Sequence, residues 1–357
     1  MKLIIQIPCF NEEGQLPLTL SRLPRTVAGF DTVEWLIIDD GSTDRTVAVA
    51  REHGVEHIVR LTNHKGLAAA FQAGLDAGLK LHADVIVNTD ADNQYEGSDI
   101  PRLVEPILRG EADMVVGDRQ VSTIEHFSGL KKLLQRLGSW VVRQASNTHI
   151  PDTTSGFRAY NREAALQVQA VSKFTYTLET IIQAGKLLVA VEHVPVRTNP
   201  KTRGSRLFPS TTAYVRRNAL SIFRIYSQYQ PLKVFWTGAV ICGTAALAIF
   251  IRFLVYFVEN PSTAGRGHIQ SLIAGGVLFN AAMLLGALGV IGDLLDAQRM
   301  ISQRTFERVR RIELQLGVEP SHYEAGSPPA SGPAGAAREQ RGQPPGTGAP
   351  DREALEV

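Results

Sequence analysis

Val85-Ile86-Val87-Asn88-Thr89-Asp90-Ala91-Asp92 decides how this chain is read. Three apolar residues run into two carboxylates spaced i, i+2, the pattern of a buried strand whose tip delivers acids to a shared site. Side chains at i and i+2 of a strand leave on the same face. Two carboxylates held together repel each other unless a cation lies between them. Hard oxygen ligands in small number suit Mg²⁺ or Mn²⁺, with substrate phosphates completing the shell. Asp90 and Asp92 are therefore candidate catalytic and metal-binding residues. A polar turn after a strand would be written in the same letters, so the ends of the other strands carry weight.

Strands are expected at Leu3–Ile7, Glu34–Ile38, Ile58–Leu61, Asp84–Asn88 and Ala112–Gly117, alternating with helices at Glu13–Leu23, Thr43–His53 and Gly66–Leu81. Ser42 or Thr43 is the expected N-cap of the second helix. This alternation gives an α/β domain with a largely parallel sheet. Open α/β sheets bind ligands beyond the carboxyl ends of their strands, and the polar clusters collect there. Asn11-Glu12 follows the first strand, Asp39-Asp40 the second and Asp90–Asp92 the fourth. Asp39 and Asp40 can accept hydrogen bonds from a base or ribose, and Gly66 permits close backbone approach. With the acid pair at the phosphate end, these clusters describe a nucleoside-diphosphate pocket.

The bulk composition excludes other classes. Lys+Arg 37 against Asp+Glu 35 leaves a formal charge of +2, so no nucleic-acid partner is indicated. Cys9 and Cys242 form no disulfide framework or metal-ligand spacing. The N-terminal apolar run is too short for a signal-peptide core, so the first domain is expected in the cytoplasm. A mixed basic helix is expected at Lys131–Ala145 and an edge-like strand at His193–Val196. Thr198–Phe208 reads as a basic loop with Lys201, Arg203 and Arg206.

Two long apolar runs follow, and a membrane span needs about 20 residues. The division expected is a catalytic domain over 1–208, an interfacial segment over 209–233, spans over 234–258 and 268–292, a cytoplasmic helix over 293–317 and a disordered tail over 318–357. The interfacial segment is basic and aromatic, suited to anionic headgroups. Arginines and lysines flank the outer ends of both spans, and the connector holds Arg266 alone. The positive-inside rule then puts both ends of the hairpin in the cytoplasm. Gly275, Gly276, Gly286 and Gly289 would pack either the two spans or a homo-oligomer. The tail carries 7 Pro and 6 Gly in its 40 residues, a composition that cannot bury a core.

Ile7-Pro8-Cys9-Phe10-Asn11-Glu12-Glu13, Asp39-Asp40-Gly41-Ser42, Gly66 to Gly74 and Asp90-Ala91-Asp92-Asn93-Gln94 together resemble the family-2 glycosyltransferases of GT-A fold. Val116-Gly117-Asp118-Arg119 and Asp152-Thr153-Thr154-Ser155-Gly156-Phe157-Arg158 are similar to the polyprenol-phosphate sugar synthases of the dolichol-phosphate mannose synthase type. The likeness spans about residues 1–230, and the hairpin resembles that of bacterial members with two C-terminal spans. One departure stands out. Where the family more often has a hydrophobic residue and Gln-His-Pro after its acid pair, this chain has Asn93-Gln94-Tyr95-Glu96.

The resemblance implies a plasma-membrane enzyme, most simply bacterial, that inverts the sugar. A lipid phosphate oxygen attacks the anomeric carbon of a nucleotide sugar, with GDP-mannose or UDP-glucose the leading donors and a polyprenyl phosphate the acceptor. It places Pro8, Phe10, Asn11, Glu12, Asp39, Asp40, Gly66, Asp90, Ala91 and Arg203 on the donor nucleotide. It places Arg119, Arg158 and Ser155 on the acceptor phosphate, and Mg²⁺ or Mn²⁺ on Asp90, Asp92 and Gln94. A phosphate monoester has a second pKa of about 6, so such an acceptor needs cations to hold it more than a base; guanidinium groups bind phosphate bidentately. Asp152 would orient the site, act as base or cap structurally. The alternatives are another membrane lipid acceptor, whose hydroxyl would need a base; a processive polysaccharide synthase, whose Gln-x-x-Arg-Trp motif and extra spans are missing; and a non-catalytic membrane scaffold.

Overall fold

The computed structural model describes residues 1–120, 143, 146, 148–170, 176–200, 223–224, 226–259 and 269–326. Nearly all of the expected Lys131–Ala145 helix, most of the interfacial segment, and the basic residues Lys201, Arg203 and Arg206 lie outside them.

Apolar runs become strands as their patterns require: β1 (Lys2–Cys9), β2 (Thr32–Asp39), β3 (His57–Arg60), β4 (Val85–Asn88) and β5 (Met114–Asp118). Helices α1 (Leu16–Arg22), α2 (Thr46–Glu52), α3 (Leu67–Lys80) and α4 (Ile100–Leu108) connect them. Arg45, not Ser42 or Thr43, stands at the N-cap of α2 and makes no side-chain cap. The two hydroxyl residues are engaged elsewhere: the Asn11 N–H donates to Ser42 Oγ and the Thr43 N–H to Asn11 Oδ1.

Next come β6 (Arg158–Asn161), α5 (Arg162–Gln167), α6 (Tyr176–Lys186) and β7 (Val191–Pro195). With β8 (Tyr323–Ala325) the strands form an eight-stranded sheet in the order β7-β5-β6-β4-β1-β2-β3-β8. β1 pairs in parallel with β2 and β4, while β6 runs antiparallel between β4 and β5. Both faces are covered. Leu3, Ile5 and Ile7 of β1 point into one apolar cluster and Ile4 into the other, the expected burial of a mainly parallel sheet. β7 lies at one edge, as its sequence indicates.

Helix α7 (Pro231–Glu259) and helix α8 (Ile269–Gln315) are long and apolar enough to cross a membrane, with mean hydropathy 2.2 and 1.9 over their most apolar windows. Only 6% and 11% of those windows are buried, so neither is a core helix. At 1.5 Å per residue α8 is about 70 Å long, more than twice a hydrocarbon core of about 30 Å. The second span and the expected separate helix over 293–317 are thus one continuous rod. The site of an ideal Cβ on Gly275 lies 2.8 Å from Phe250 and that on Gly289 lies 2.9 Å from Trp236, so these two glycines seat α7 against α8. Gly276 and Gly286 face open space.

The polar half of α8 is clamped to the catalytic domain. Arg299 donates to Glu179 of α6 at 2.9 Å, and Lys186 pairs with Asp296. Buried Arg310 donates to the carbonyls of Ala165 and Leu166, and Lys80 pairs with Glu313. Beyond α8 the chain corrects the expected tail boundary at 318. Tyr323–Ala325 forms β8, antiparallel to β3, because an unpaired β3 edge offers it a hydrogen-bonding ladder.

Candidate active site

The acids at the end of β4 sit in a turn, not on the strand. β4 stops at Asn88, and Asp90 to Asn93 curl away with Asn93 at φ 57°. The i, i+2 strand-face argument therefore yields the right pair by the wrong geometry. The turn is pinned from three sides. Thr19 Oγ1 donates to the Ala91 carbonyl at 2.7 Å, and the Gln94 N–H donates to Asp92 Oδ1 at 3.0 Å. The Asn199 N–H donates to the Gln94 carbonyl at 2.9 Å, and Asn199 Nδ2 donates to the Asn93 carbonyl at 3.0 Å. Gln94 thus orients Asp92 through its backbone.

Beneath the turn runs a buried polar chain. Gln6 Nε2 donates to Asn88 Oδ1 at 2.8 Å, and Asn88 Nδ2 donates to the Gly156 carbonyl at 2.8 Å and to Tyr176 Oη at 3.0 Å. The Gly156 N–H donates to Tyr95 Oη at 2.9 Å, and the Tyr95 ring stacks on Phe157 with centroids 5.0 Å apart. Tyr95, the departure from the family pattern, therefore ties the acid turn to the Asp152–Arg158 segment. Gly156 lies against the Asp90 carboxylate. A Cβ there would meet Tyr176 Oη at 2.8 Å and the two Asp90 oxygens at 3.2 and 3.3 Å. Gly156→Ala is expected to cost about 1–3 kcal/mol by overpacking and to displace Asp90; thermal unfolding and metal titration of the variant check both.

Burial and the neighbouring Asp92 charge push Asp90 up to about 7, against the pull of Arg119 and Arg158. An acid so placed fits a cation. Two hard carboxylates share a turn, and a glycine leaves the flank of one of them open. Among the described residues no three His, Cys, Asp or Glu side chains cluster as a metal cage, a sparse set that suits Mg²⁺, which commonly keeps waters and substrate phosphates among its ligands.

A pH dependence follows. The ordinary carboxyl value is 3.8. Below it both folded and unfolded chains hold the proton, and the raised value favours folding in full. That contribution is lost as pH rises through about 7. A cation must displace this proton, so metal affinity is expected to fall about tenfold per pH unit below about 7 and to level off above it. Mn²⁺ titration calorimetry across that range measures this.

Arg119 and Asp152, expected in separate roles, form one unit. Arg119 Nε donates to Asp152 Oδ2 at 2.7 Å, and its Nη2 donates to Asp152 Oδ1 at 3.0 Å and to Thr154 Oγ1 at 2.7 Å. Burial pushes Asp152 up, but the Arg119 fork outweighs it and holds the carboxyl below its ordinary range. Asp152 is thus an ionised partner of Arg119 and a poor base. Arg158 corrects the sequence expectation. It is fully buried, and its guanidinium donates to the Ser155 carbonyl (2.8 Å), Thr180 Oγ1 (2.6 Å) and the Thr153 carbonyl (3.0 Å). Ser155 is buried with it. Arg158 braces the loop from within, and the Phe157 N–H donates to Ser155 Oγ at 3.4 Å.

At the carboxyl ends of β1 and β2 Phe10 is exposed and stacks on His64, with centroids 4.0 Å apart. Asp40 is taken up by the fold: its oxygens accept from the Lys65 and Gly66 N–H groups at 2.7 and 2.9 Å and lie 2.9 Å from His64 Nδ1. Gly66 holds φ 96°, which suits glycine. Asn11 at φ 54° and the Glu12 N–H, donated to Thr46 Oγ1, stitch the β1 and β2 loops together. Pro8 pairs with Ile38 inside the sheet. Asp39 is fully buried; its Oδ1 accepts from the Ser42 N–H at 3.0 Å.

A mixed sheet with acid turns at its carboxyl edge, followed by two candidate membrane helices, is an architecture of GT-A type. The glycosyl transferase family 2 profile matches residues 4–168. An undecaprenyl-phosphate mannosyltransferase of Micrococcus luteus is 30% identical over 206 residues, 55% of this chain and 83% of that protein. A polyprenol monophosphomannose synthase of Mycolicibacterium smegmatis is 33% identical over 167 residues, 45% of this chain and 62% of that protein. A dodecaprenyl-phosphate galacturonate synthase of Rhizobium johnstonii is 24% identical over 302 residues, 83% of this chain and 88% of that protein. Among solved structures, glucosyl-3-phosphoglycerate synthase of Mycobacterium tuberculosis aligns with TM-score 0.47 and 21% identity, covering 62% of this chain and 79% of that chain. The chain belongs to glycosyl transferase family 2, and its relatives include polyprenyl-phosphate sugar synthases.

Proposed function

We propose that this protein transfers one hexose, with inversion, from a nucleotide sugar to a polyprenyl phosphate at the cytoplasmic face of a membrane. The observation that carries the reading is the juxtaposition of the Asp90–Asp92 turn with Arg119 on a domain clamped to a candidate membrane helix. A divalent cation on Asp90 and Asp92, with Gln94 the expected further ligand, supplies Lewis-acid stabilisation of the departing diphosphate. The donor nucleoside lies toward Phe10, Asn11 and Asp39, with Glu12 and Ala91 along the diphosphate path. Arg119, its fork locked by Asp152, holds a fixed positive charge beside that path and positions the acceptor phosphate. Arg203 of the basic loop completes the donor contacts; Asn199 anchors the start of that loop to the acid turn.

An ionised acceptor phosphate needs no base, which suits a site whose best base candidate is tied to an arginine. A hydroxyl acceptor is less well served. The clamp between α8 and the domain favours one side of the membrane for both. A two-helix hairpin returns the chain to the side it left, and the Lys and Arg flanks favour the cytoplasm. Mannose is the first sugar to test, since two of the relatives are named for it. Purified full-length protein in detergent, given undecaprenyl phosphate, Mg²⁺ or Mn²⁺ and a donor panel led by GDP-mannose and UDP-glucose, is expected to form a chelator-sensitive glycolipid. Folded protein that binds nucleotide yet transfers from no donor contradicts the reading.

A further inference from the structure

We propose that the C-terminal strand β8 is part of the donor site, with His322, Tyr323 and Glu324 forming the outer wall of the pocket for the nucleoside. The proposal rests on the nucleotide-sugar reading above and adds three residues to it from the far side of the membrane hairpin.

A cavity of about 510 Å³ opens at the carboxyl ends of β2 and β3, where α/β sheets take their ligands. Gly41 to Thr43 line one side and Arg60 to Thr62 a second, while His322 to Glu324 close the third. Its size lies within the usual range for small-molecule sites. The strand that closes it is held deliberately. The Arg60 N–H donates to the His322 carbonyl at 2.9 Å, and the Gly326 N–H donates to the Glu56 carbonyl at 2.8 Å. Tyr323 Oη lies 2.8 Å from His57 Nδ1, and Glu324 pairs with Arg51. Three strand residues in a Pro- and Gly-rich stretch have little cause to order themselves, yet side-chain and backbone bonds fix them against β3.

Next to this wall sits an unmet acceptor. Asp39 is fully buried, and among the described residues its Oδ2 has no hydrogen-bond donor; the wall residue Arg60 stands 3.6 Å away at Nε. Buried polar atoms without partners are rare and costly. A ligand O–H or N–H would satisfy this one. The lining offers donors from Arg60 and hydroxyls from Ser42, Thr43 and Thr62, with an acceptor at Glu324. A ribose and base carry both donors and acceptors and match it. A phosphate dianion would face the Glu324 carboxylate, with the Asp39 charge close behind Arg60, and is disfavoured.

The test compares full-length wild type with Tyr323→Ala and Glu324→Gln, the second keeping size and shape where the first loosens the strand. GDP and UDP are titrated separately by calorimetry, and donor and polyprenyl-phosphate KM values are measured. The expected result is a tenfold or greater rise in nucleoside-diphosphate Kd and in donor KM, with lipid KM within twofold. Variants that bind GDP and UDP like wild type, while wild type transfers sugar, overturn the role of β8 and leave the proposed function standing. Wild type that binds neither nucleotide overturns both.

Discussion

Asp90→Asn is expected to lower kcat/KM about a thousandfold, the loss of about 4 kcal/mol of charge stabilisation at the departing diphosphate. The same change is expected to leave the metal-free fold as stable as wild type, or more so, at pH 8. Asp90 is raised to about 7 by its burial and by Asp92, so its ionised form is strained there, and an amide removes the repulsion while keeping the shape. Loss of activity without loss of stability separates a metal ligand from a structural acid. Thermal unfolding with and without Mn²⁺ gives the second readout: wild type gains stability from the cation and the variant does not.

Arg119→Ala is the second large effect, with the opposite balance. Asp152 is 3% exposed, and the arginine fork supplies its countercharge. Removing one partner of a buried ion pair typically costs about 3–5 kcal/mol, because the other charge is left without compensation. The variant is therefore expected to lose both stability and activity. Arg119→Ala with Asp152→Asn is expected to recover much of the stability and little of the activity, since the amide needs no countercharge but the acceptor phosphate still lacks its cation. Arg119→Lys is expected to resemble the loss, because a point charge cannot reproduce the two-toothed bond. Asp152→Asn alone closes a double-mutant cycle with wild type, Arg119→Ala and the double variant, read by unfolding midpoints and kcat/KM.

The sequence reveals most of the sheet because burial on two faces writes itself as unbroken apolar runs. β1, β2, β4 and β5 all read directly. β6 does not, although it lies inside the sheet between β5 and β4. Arg158-Ala159-Tyr160-Asn161 contains one charged and one amide residue, and its burial depends on β4 and β5 flanking it. The same local blindness misplaced Arg158. An arginine after Gly-Phe reads as a ligand-facing cation, and only the fold brings two carbonyls and Thr180 to its guanidinium. Asp40 was legible as a site acid, yet its oxygens hold the Lys65–Gly66 turn. Tyr95 stood out as a departure from pattern, but its partner, the Gly156 N–H, is 61 residues away. Asn199 and Tyr176 gave no signal, since each acts through contacts far along the chain. β8 was masked by composition: the Pro and Gly that surround Tyr323-Glu324-Ala325 describe the segment's average, not the three residues that find an open strand edge.

The central claim is that a lipid phosphate oxygen, held beside Arg119, takes the sugar in a site that works without a base. The direct measurement offers purified enzyme, Mn²⁺ and GDP-mannose either undecaprenyl phosphate or undecaprenol, and reads lipid products by mass. If GDP-mannose is not the donor, the active member of the donor panel takes its place. Product from the phosphate alone, heavier than the acceptor by one anhydrohexose and abolished by chelator, is the predicted result. Product from the alcohol at a comparable rate would contradict the account, because Asp152, the base candidate among the described residues, is held by Arg119.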